Sequence, residues 1–113
     1  MKLSACTTGV ALFVSSALGY EVRTFRDFGC KGENRVINVW DNTCRNTDIL
    51  SATRSIEVVS YGGNRQRAHF YYDTNCFAYS NRDWWADGGS DTFKKGRCID
   101  MGTEIHAFGS QAI

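Results

Sequence analysis

Hydrophobic and polar residues alternate over short distances in this chain, and no apolar spacing typical of a helix is sustained. Runs rich in β-branched and aromatic side chains are separated by Gly, Asn and Asp, and the chain contains no proline. Such runs are typical of strands of about five to eight residues. The predicted strands are EVRTF, NRVINVW, RSIEVVSY, RAHFYY, CFAYS and TEIHAF. The pattern therefore predicts an all-β domain.

A weak internal repeat divides this domain at the polar turn SYGGNRQ, residues 60–66. The order aromatic, any residue, Asp, any two residues, Cys occurs at 25–30 and again at 71–76, which is 46 residues later. A second cysteine follows in each half, and then the predicted strand SIEVV or EIHAF. Repeats of this kind need one another to bury a continuous core.

The amino-terminal segment MKLSACTTGVALFVSSALG has the layout of a secretory signal peptide. Lys2 precedes an apolar run, and the small residues Ala17 and Gly19 fill the positions before a cleavage site. We expect residues 1–19 to be removed, which leaves a secreted mature domain spanning 20–113. The alternative is a membrane anchor, but the run is too short to cross about 30 Å of hydrocarbon.

The mature domain has a formal net charge of zero, because removing Lys2 leaves twelve basic and twelve acidic side chains. A domain that binds nucleic acid normally carries a basic patch, and no basic run longer than KK occurs. The charge balance also argues against a cationic, membrane-lytic peptide. We expect a single-domain monomer with no nucleic-acid or membrane partner.

Four cysteines remain once Cys6 has left with the signal peptide: Cys30, Cys44, Cys76 and Cys98. An even set in an exported chain indicates two disulfides. A zinc site usually contains closely spaced ligand pairs such as C-x-x-C, whereas the nearest two of these cysteines are fourteen residues apart. Three connectivities are open, and the repeat favours bridges within each half, Cys30–Cys44 and Cys76–Cys98.

Two segments resemble a known fold family. VRTFRDFGCKGENRVINV resembles the first strands of a βγ-crystallin Greek key, and SATRSIEVVS resembles its closing segment, in which a Ser begins the last strand. The resemblance implies a small disulfide-stabilised domain of two Greek-key-like halves, an arrangement also used by secreted killer-toxin-like proteins. The overall profile is also similar to the cysteine-rich effectors of fungal plant pathogens, including the biotrophy-associated secreted proteins.

The calcium ligands of βγ-crystallins are not matched in the first half. Aligning Ser55 with the final Ser of the motif places Leu50 and Arg54 where oxygen ligands belong. Calcium wants several oxygen ligands, with carboxylates prominent. In the second half Asp100 and Thr103 lie near the corresponding positions, but no ligand set can be carried over. We expect no metal and no cofactor.

The stretch DWWADGGSD, residues 83–91, is the candidate binding site. The second pair of cysteines is eight residues further apart than the first, and DWWADGGS has that length, so an inserted loop is predicted. Loops often carry binding residues, and Trp is enriched at interface hot spots. Because neighbours in an extended segment face opposite ways, we expect one of Trp84 and Trp85 to pack and the other to contact a sugar or a protein. The alternative is that one caps the core and the other is merely partly covered.

No catalytic set is readable from the sequence. His69 and His106 lie in strand-like segments without evident partners, and the mature cysteines are assigned to disulfides. We expect a secreted, non-catalytic effector of a plant-pathogenic fungus that binds a host protein or a cell-wall glycan during colonisation. The alternatives are a killer-toxin-like antimicrobial protein and a small secreted cell-wall hydrolase, which would use paired carboxylates.

Overall fold

The computed structural model describes residues 17–63 and 65–113, so most of the predicted signal peptide, residues 1–16, lies outside the described residues. The strands are β1 (Leu18–Asp27), β2 (Lys31–Trp40), β3 (Cys44–Arg45), β4 (Thr53–Tyr61), β5 (Gln66–Tyr71), β6 (Arg82–Trp85), β7 (Cys98–Ile105) and β8 (Ala107–Ala112). The predicted all-β class is confirmed. In the part of the chain that the structure describes, no helix is long and apolar enough to cross a membrane.

The strands form two antiparallel sheets of four, with the orders β2-β1-β4-β7 and β3-β8-β5-β6. Three strands of each sheet come from one half of the chain, and the fourth strand, β7 or β3, comes from the other half. Exchanging β1–β4 with β5–β8 converts one order into the other, so the two halves are arranged equivalently. Neither half completes its sheet alone, which ties the two halves into one domain.

Strand alternation places the core between the sheets. In β1, Tyr20, Val22 and Thr24 are fully buried, while Glu21 and Arg23 between them are partly exposed. This is the period of two that an extended chain imposes. The core cluster draws residues from both sheets: Tyr20, Val22, Ile37, Val39, Ile56, Val58, Ala68, Phe70, Ala86, Phe93, Ile99, Met101, Ile105 and Phe108.

Ser55 fastens the β1–β2 turn to the neighbouring strand. Its buried hydroxyl accepts a hydrogen bond from the Cys30 N–H at 2.9 Å and donates one to the Asp27 carbonyl at 2.5 Å. The turn needs such support because Cys30 has a φ of 58°, a conformation that costs a side-chain-bearing residue free energy. Ser55, the third residue of β4, therefore has a local structural role in supporting this turn.

The disulfides join the halves, so the predicted bridges within each half are wrong. Cys30 is bonded to Cys98, and Cys44 is bonded to Cys76. Cys44 begins β3 and Cys98 begins β7, which are the two strands that cross into the other half's sheet. Each second cysteine is thereby carried away from the first cysteine of its own half and placed beside that of the other.

Three of the predicted elements differ from the observed ones. CFAYS is not a strand, and TEIHAF is divided between β7 and β8 at His106. The tryptophans of DWWADGGSD do not lie in an inserted loop, because Arg82–Trp85 forms β6 and pairs with β5. Only the residues after Trp85 form a loop, which continues to β7.

Candidate functional site

Trp84 faces inward and belongs to the packing of the core. Its ring centroid lies 5.6 Å from that of Phe70 and 6.2 Å from that of Phe93, in tilted and stacked arrangements. Its strand partner Ala68 is fully buried. Aromatic contacts of this kind add to the free energy of area burial. Trp84 is thus a structural residue.

Trp85 lies on the outer face of the second sheet, beneath basic side chains. The guanidinium carbon of Arg67 lies 4.7 Å from the ring centroid and that of Arg65 lies 5.6 Å from it. Both distances are within the range of cation–π attraction. Arg67 also bonds to Asp83 at 2.7 Å, so the charge beside the ring is paired. Trp85 is therefore partly covered by its own protein.

The most exposed aromatic residues lie elsewhere, on the segment between β5 and β6. We call residues 72–81 the aromatic loop. The Tyr79 residue is 100% exposed, Phe77 is 94% exposed and Tyr72 is 53% exposed. CFAYS has the composition of a strand, so the exposed rings of Phe77 and Tyr79 were not predicted from the sequence. Cys76, which precedes Phe77, was the feature of the sequence that could have indicated an ordered loop. A disulfide-bonded cysteine can hold a segment in place without strand pairing.

Several contacts anchor the aromatic loop although its rings are free. Cys76 is bonded to Cys44, and the side-chain amide of Asn46 donates to the Thr74 carbonyl at 2.9 Å. At the ends of the loop, the Asn81 carboxamide oxygen accepts from the Tyr72 N–H at 2.7 Å. The backbone of the loop is thereby held in place, which lowers the entropy cost of binding through it.

A groove runs beside Phe77 on the outer face of the second sheet, and we call it the outer groove. Its volume is about 350 Å³, which is within the usual range of ligand sites. Its lining consists of Asn42, Thr43, Cys44, His69, Tyr71, Cys76, Phe77, Gly109, Ser110 and Gln111. The lining contains amides, hydroxyls and aromatic rings, and no Asp, Glu, Lys or Arg.

Gly109 has no side chain and therefore leaves space at the base of the outer groove. A Cβ at this position would lie 3.1 Å from Cε1 of Tyr71, which is a tight contact, and 3.6 Å from Sγ of Cys76, which is an ordinary van der Waals contact. Burial raises the pKa of the Tyr71 phenol, and the carboxylate of Asp83 raises it further. A tyrosine phenol is already protonated at neutral pH, so Tyr71 is a hydrogen-bond donor there, and the raised pKa extends this to more alkaline pH.

Ser80, His69 and Asp83 meet at one end of this surface, but not as a catalytic triad. The Ser80 hydroxyl lies 3.3 Å from Nδ1 of His69, and the Asp83 carboxylate lies 3.8 Å from the same nitrogen. A triad uses the two ring nitrogens separately, one toward the nucleophile and one toward the acid. The other nitrogen, Nε2, is buried and makes no hydrogen bond within the described residues.

His106, the second histidine, makes structural contacts. The His106 N–H donates to the Tyr71 carbonyl at 2.8 Å, and its ring packs edge-on against Tyr72 with centroids 5.4 Å apart. These contacts fix the start of the aromatic loop. Among residues 17–63 and 65–113, no three His, Cys, Asp or Glu side chains are grouped as a metal ion would require.

Comparison with protein-family models, with curated proteins and with solved structures finds no match to this chain. The βγ-crystallin and effector resemblances consequently remain expectations that rest on the sequence segments.

Proposed function

We propose that the protein is a secreted, non-catalytic effector of a plant-pathogenic fungus that binds a neutral cell-wall glycan through the aromatic loop and the outer groove. The observation that carries the proposal is the near-complete exposure of Phe77 and Tyr79 on a loop that a disulfide and hydrogen bonds hold in place.

The exposed rings contribute little to folding. Burying a Phe side chain stabilises a fold by roughly 1.5–3 kcal/mol, and Phe77 and Tyr79 forgo that gain in the free protein. Apolar side chains exposed together mark interaction sites more often than they serve stability. Phe77 lines the outer groove and Tyr79 follows it two positions later on the same loop, so an extended ligand in the groove would meet the Phe77 ring.

The chemistry of the outer groove favours a neutral polysaccharide. Its lining contains no Asp, Glu, Lys or Arg, so an acidic or basic ligand would find no permanently charged partner among the lining residues. It does offer amides from Asn42 and Gln111 and the phenol of Tyr71. Sugars combine hydroxyl groups with apolar C–H faces, and aromatic rings beside planar hydrogen-bonding groups complement both properties.

The extracellular location and the lack of catalysis have separate support. Two disulfides are compatible with an extracellular protein, since such bonds persist in oxidising compartments. The arrangement of Ser80 and Asp83 on one nitrogen of His69 argues against a Ser-His-Asp triad. The fungal source and the role during colonisation are supported by the sequence resemblance.

Co-sedimentation with insoluble polysaccharides tests the proposal. The oxidised mature protein is mixed with chitin, cellulose or β-glucan, and the bound fraction is measured against concentration. We expect binding to at least one of them, and binding at least about tenfold weaker for the double variant Phe77→Ala/Tyr79→Ala, as removal of hot-spot aromatics implies. The matched control is Phe28→Ala, because Phe28 is also an exposed aromatic, at 48%, but lies outside the loop.

Three outcomes would contradict the proposal. Equal binding by the double variant would remove the aromatic loop from the site. Binding to a host extracellular protein and to none of the polysaccharides would replace the ligand class. Release of soluble sugar during the incubation would show that the protein is a hydrolase.

A further inference from the structure

The residues just before Tyr20 are part of the folded domain. Leu18 pairs with Trp40 across β1 and β2, and Gly19 is buried by its contacts in the folded domain. These contacts start before the cleavage position that the pattern Ala17-x-Gly19 predicts.

Gly19 is packed where two chain segments approach closely. A Cβ on Gly19 would lie 1.9 Å from Oγ of Ser110 and 2.7 Å from the Val39 carbonyl oxygen. A Cβ on Gly62 would in turn lie 2.0 Å from the Gly19 carbonyl oxygen. The backbone of Gly19 therefore fills a gap between β2, β8 and the turn after β4, and its loss would leave that gap open.

Cleavage after Gly19 would also create a charge at an unfavourable position. Tyr20 would become the first residue, and its nitrogen would become an ammonium group. Tyr20 is fully buried in the folded chain and pairs with Val39 on one side and Tyr61 on the other. Moving an ammonium group out of water is costly unless it is paired and hydrogen-bonded.

We propose that the signal peptide is instead cleaved between Ala17 and Leu18. Signal peptidase would add water across this peptide bond, leaving a carboxylate on Ala17 and an ammonium group on Leu18. Ser15 and Ala17 are then the small residues at the two positions that the peptidase reads. Leu18 is only partly buried and Ala17 is exposed, so the new ammonium group reaches solvent.

The cleavage variants separate the two sites. Ser15→Leu places a bulky residue at a position read for cleavage after Ala17 but not for cleavage after Gly19. Ser16→Leu is the matched control, since neither site reads that position. The intact mass of protein secreted from an expression host should show a chain beginning at Leu18, and Ser15→Leu alone should reduce that species severalfold. A chain beginning at Tyr20, or an uncleaved retained chain, would overturn the proposal.

The folded domain provides a second test that does not depend on export. Chains 18–113 and 20–113 are produced with their disulfides formed and compared by thermal unfolding. We expect the shorter chain to have a Tm lower by at least about 5 °C, the scale of one lost interaction in a domain of this size. Equal Tm values would show that Leu18 and Gly19 do not contribute to the mature fold and would overturn the structural reason for the site.

Discussion

At the scale of single residues, the alternation along a strand decides which side chain does what. Trp84 and Trp85 are chemically identical neighbours, yet Trp84 contacts Phe70 and Phe93 while Trp85 lies under Arg67. Opposite orientation was predictable from the sequence, because it holds for any extended pair. The sequence does not predict which of the two tryptophans faces inward, because this depends on how the partner strand is paired.

The two tryptophans should differ in their effect on stability. Trp84→Ala leaves a cavity beside Phe70 and should cost about 3–5 kcal/mol of unfolding free energy. Trp85→Ala loses cation–π contacts and partial burial, which are worth roughly 1 kcal/mol. Chemical denaturation of both variants checks the difference, and equal losses would contradict the assignment of Trp84 to the core. Binding through Trp85 stays a prediction.

Tyr20 offers a prediction about pH. Its hydroxyl is buried and makes no hydrogen bond within the described residues. Burial, and to a lesser extent Tyr71, raises the pKa of Tyr20 well above its usual value. The folded state therefore keeps the proton at alkaline pH, while the unfolded state loses it near pH 10. The unfolding free energy should accordingly be unaffected below this pH and fall as the pH rises above it.

Tyr20→Phe tests this argument directly. The variant removes a buried donor without a partner, so it should raise stability by about 1 kcal/mol at neutral pH. Its stability should also fall less steeply than that of the wild type above about pH 10. Unfolding experiments between neutral and alkaline pH measure both effects. A destabilised variant would mean that the hydroxyl has a hydrogen-bond partner.

At the scale of elements, the exchange of β3 and β7 explains what the repeat predicted correctly and what it did not. The repeat correctly placed a first and a second cysteine in each half. The repeat predicted the wrong disulfides because the partner of each second cysteine depends on which sheet its strand, β3 or β7, joins. That choice involves contacts distant in sequence, so local pattern contains no information about it.

Peptide mapping without reduction should recover Cys30–Cys98 and Cys44–Cys76. The bridges span 68 and 32 residues, so chain entropy predicts that each contributes roughly 4 kcal/mol. Replacing Cys44 and Cys76 by Ser should additionally weaken glycan binding, since that bridge anchors the aromatic loop. Replacing Cys30 and Cys98 is the matched control, with lower stability and unchanged binding of the folded fraction. Recovery of Cys30–Cys44 would contradict the strand exchange.

Strand propensity also misplaced the aromatic residues. CFAYS has suitable side chains but pairs with no strand, whereas RDWW lies beside glycines and yet pairs with β5. Propensity describes how well a side chain suits a pleated surface, and the availability of a neighbouring strand decides whether one forms. The sequence therefore predicted a strand at CFAYS and a loop at the tryptophans, whereas CFAYS lies in a loop and the tryptophans lie in β6.

At the scale of the whole molecule, the sequence predicted the class of the fold better than the proposed binding surface. Strand-like runs and the four cysteines after residue 19 were sufficient to predict an all-β domain with two disulfides. The aromatic loop and the outer groove combine β3, β5, β8 and a segment outside the strands, so they exist only in the folded chain. The predicted site at Trp84 and Trp85 lies on an adjacent strand.

The central claim is that the aromatic loop and the outer groove form the binding surface. The most direct measurement is an NMR titration of the isotope-labelled mature protein with a soluble oligosaccharide of the polysaccharide that it sediments with. We predict amide shifts confined to residues 72–81 and to the groove residues around 42–44, 69–71 and 109–111, with none at Phe28. Shifts centred on Trp85, or no shifts at a saturating concentration, would contradict the claim.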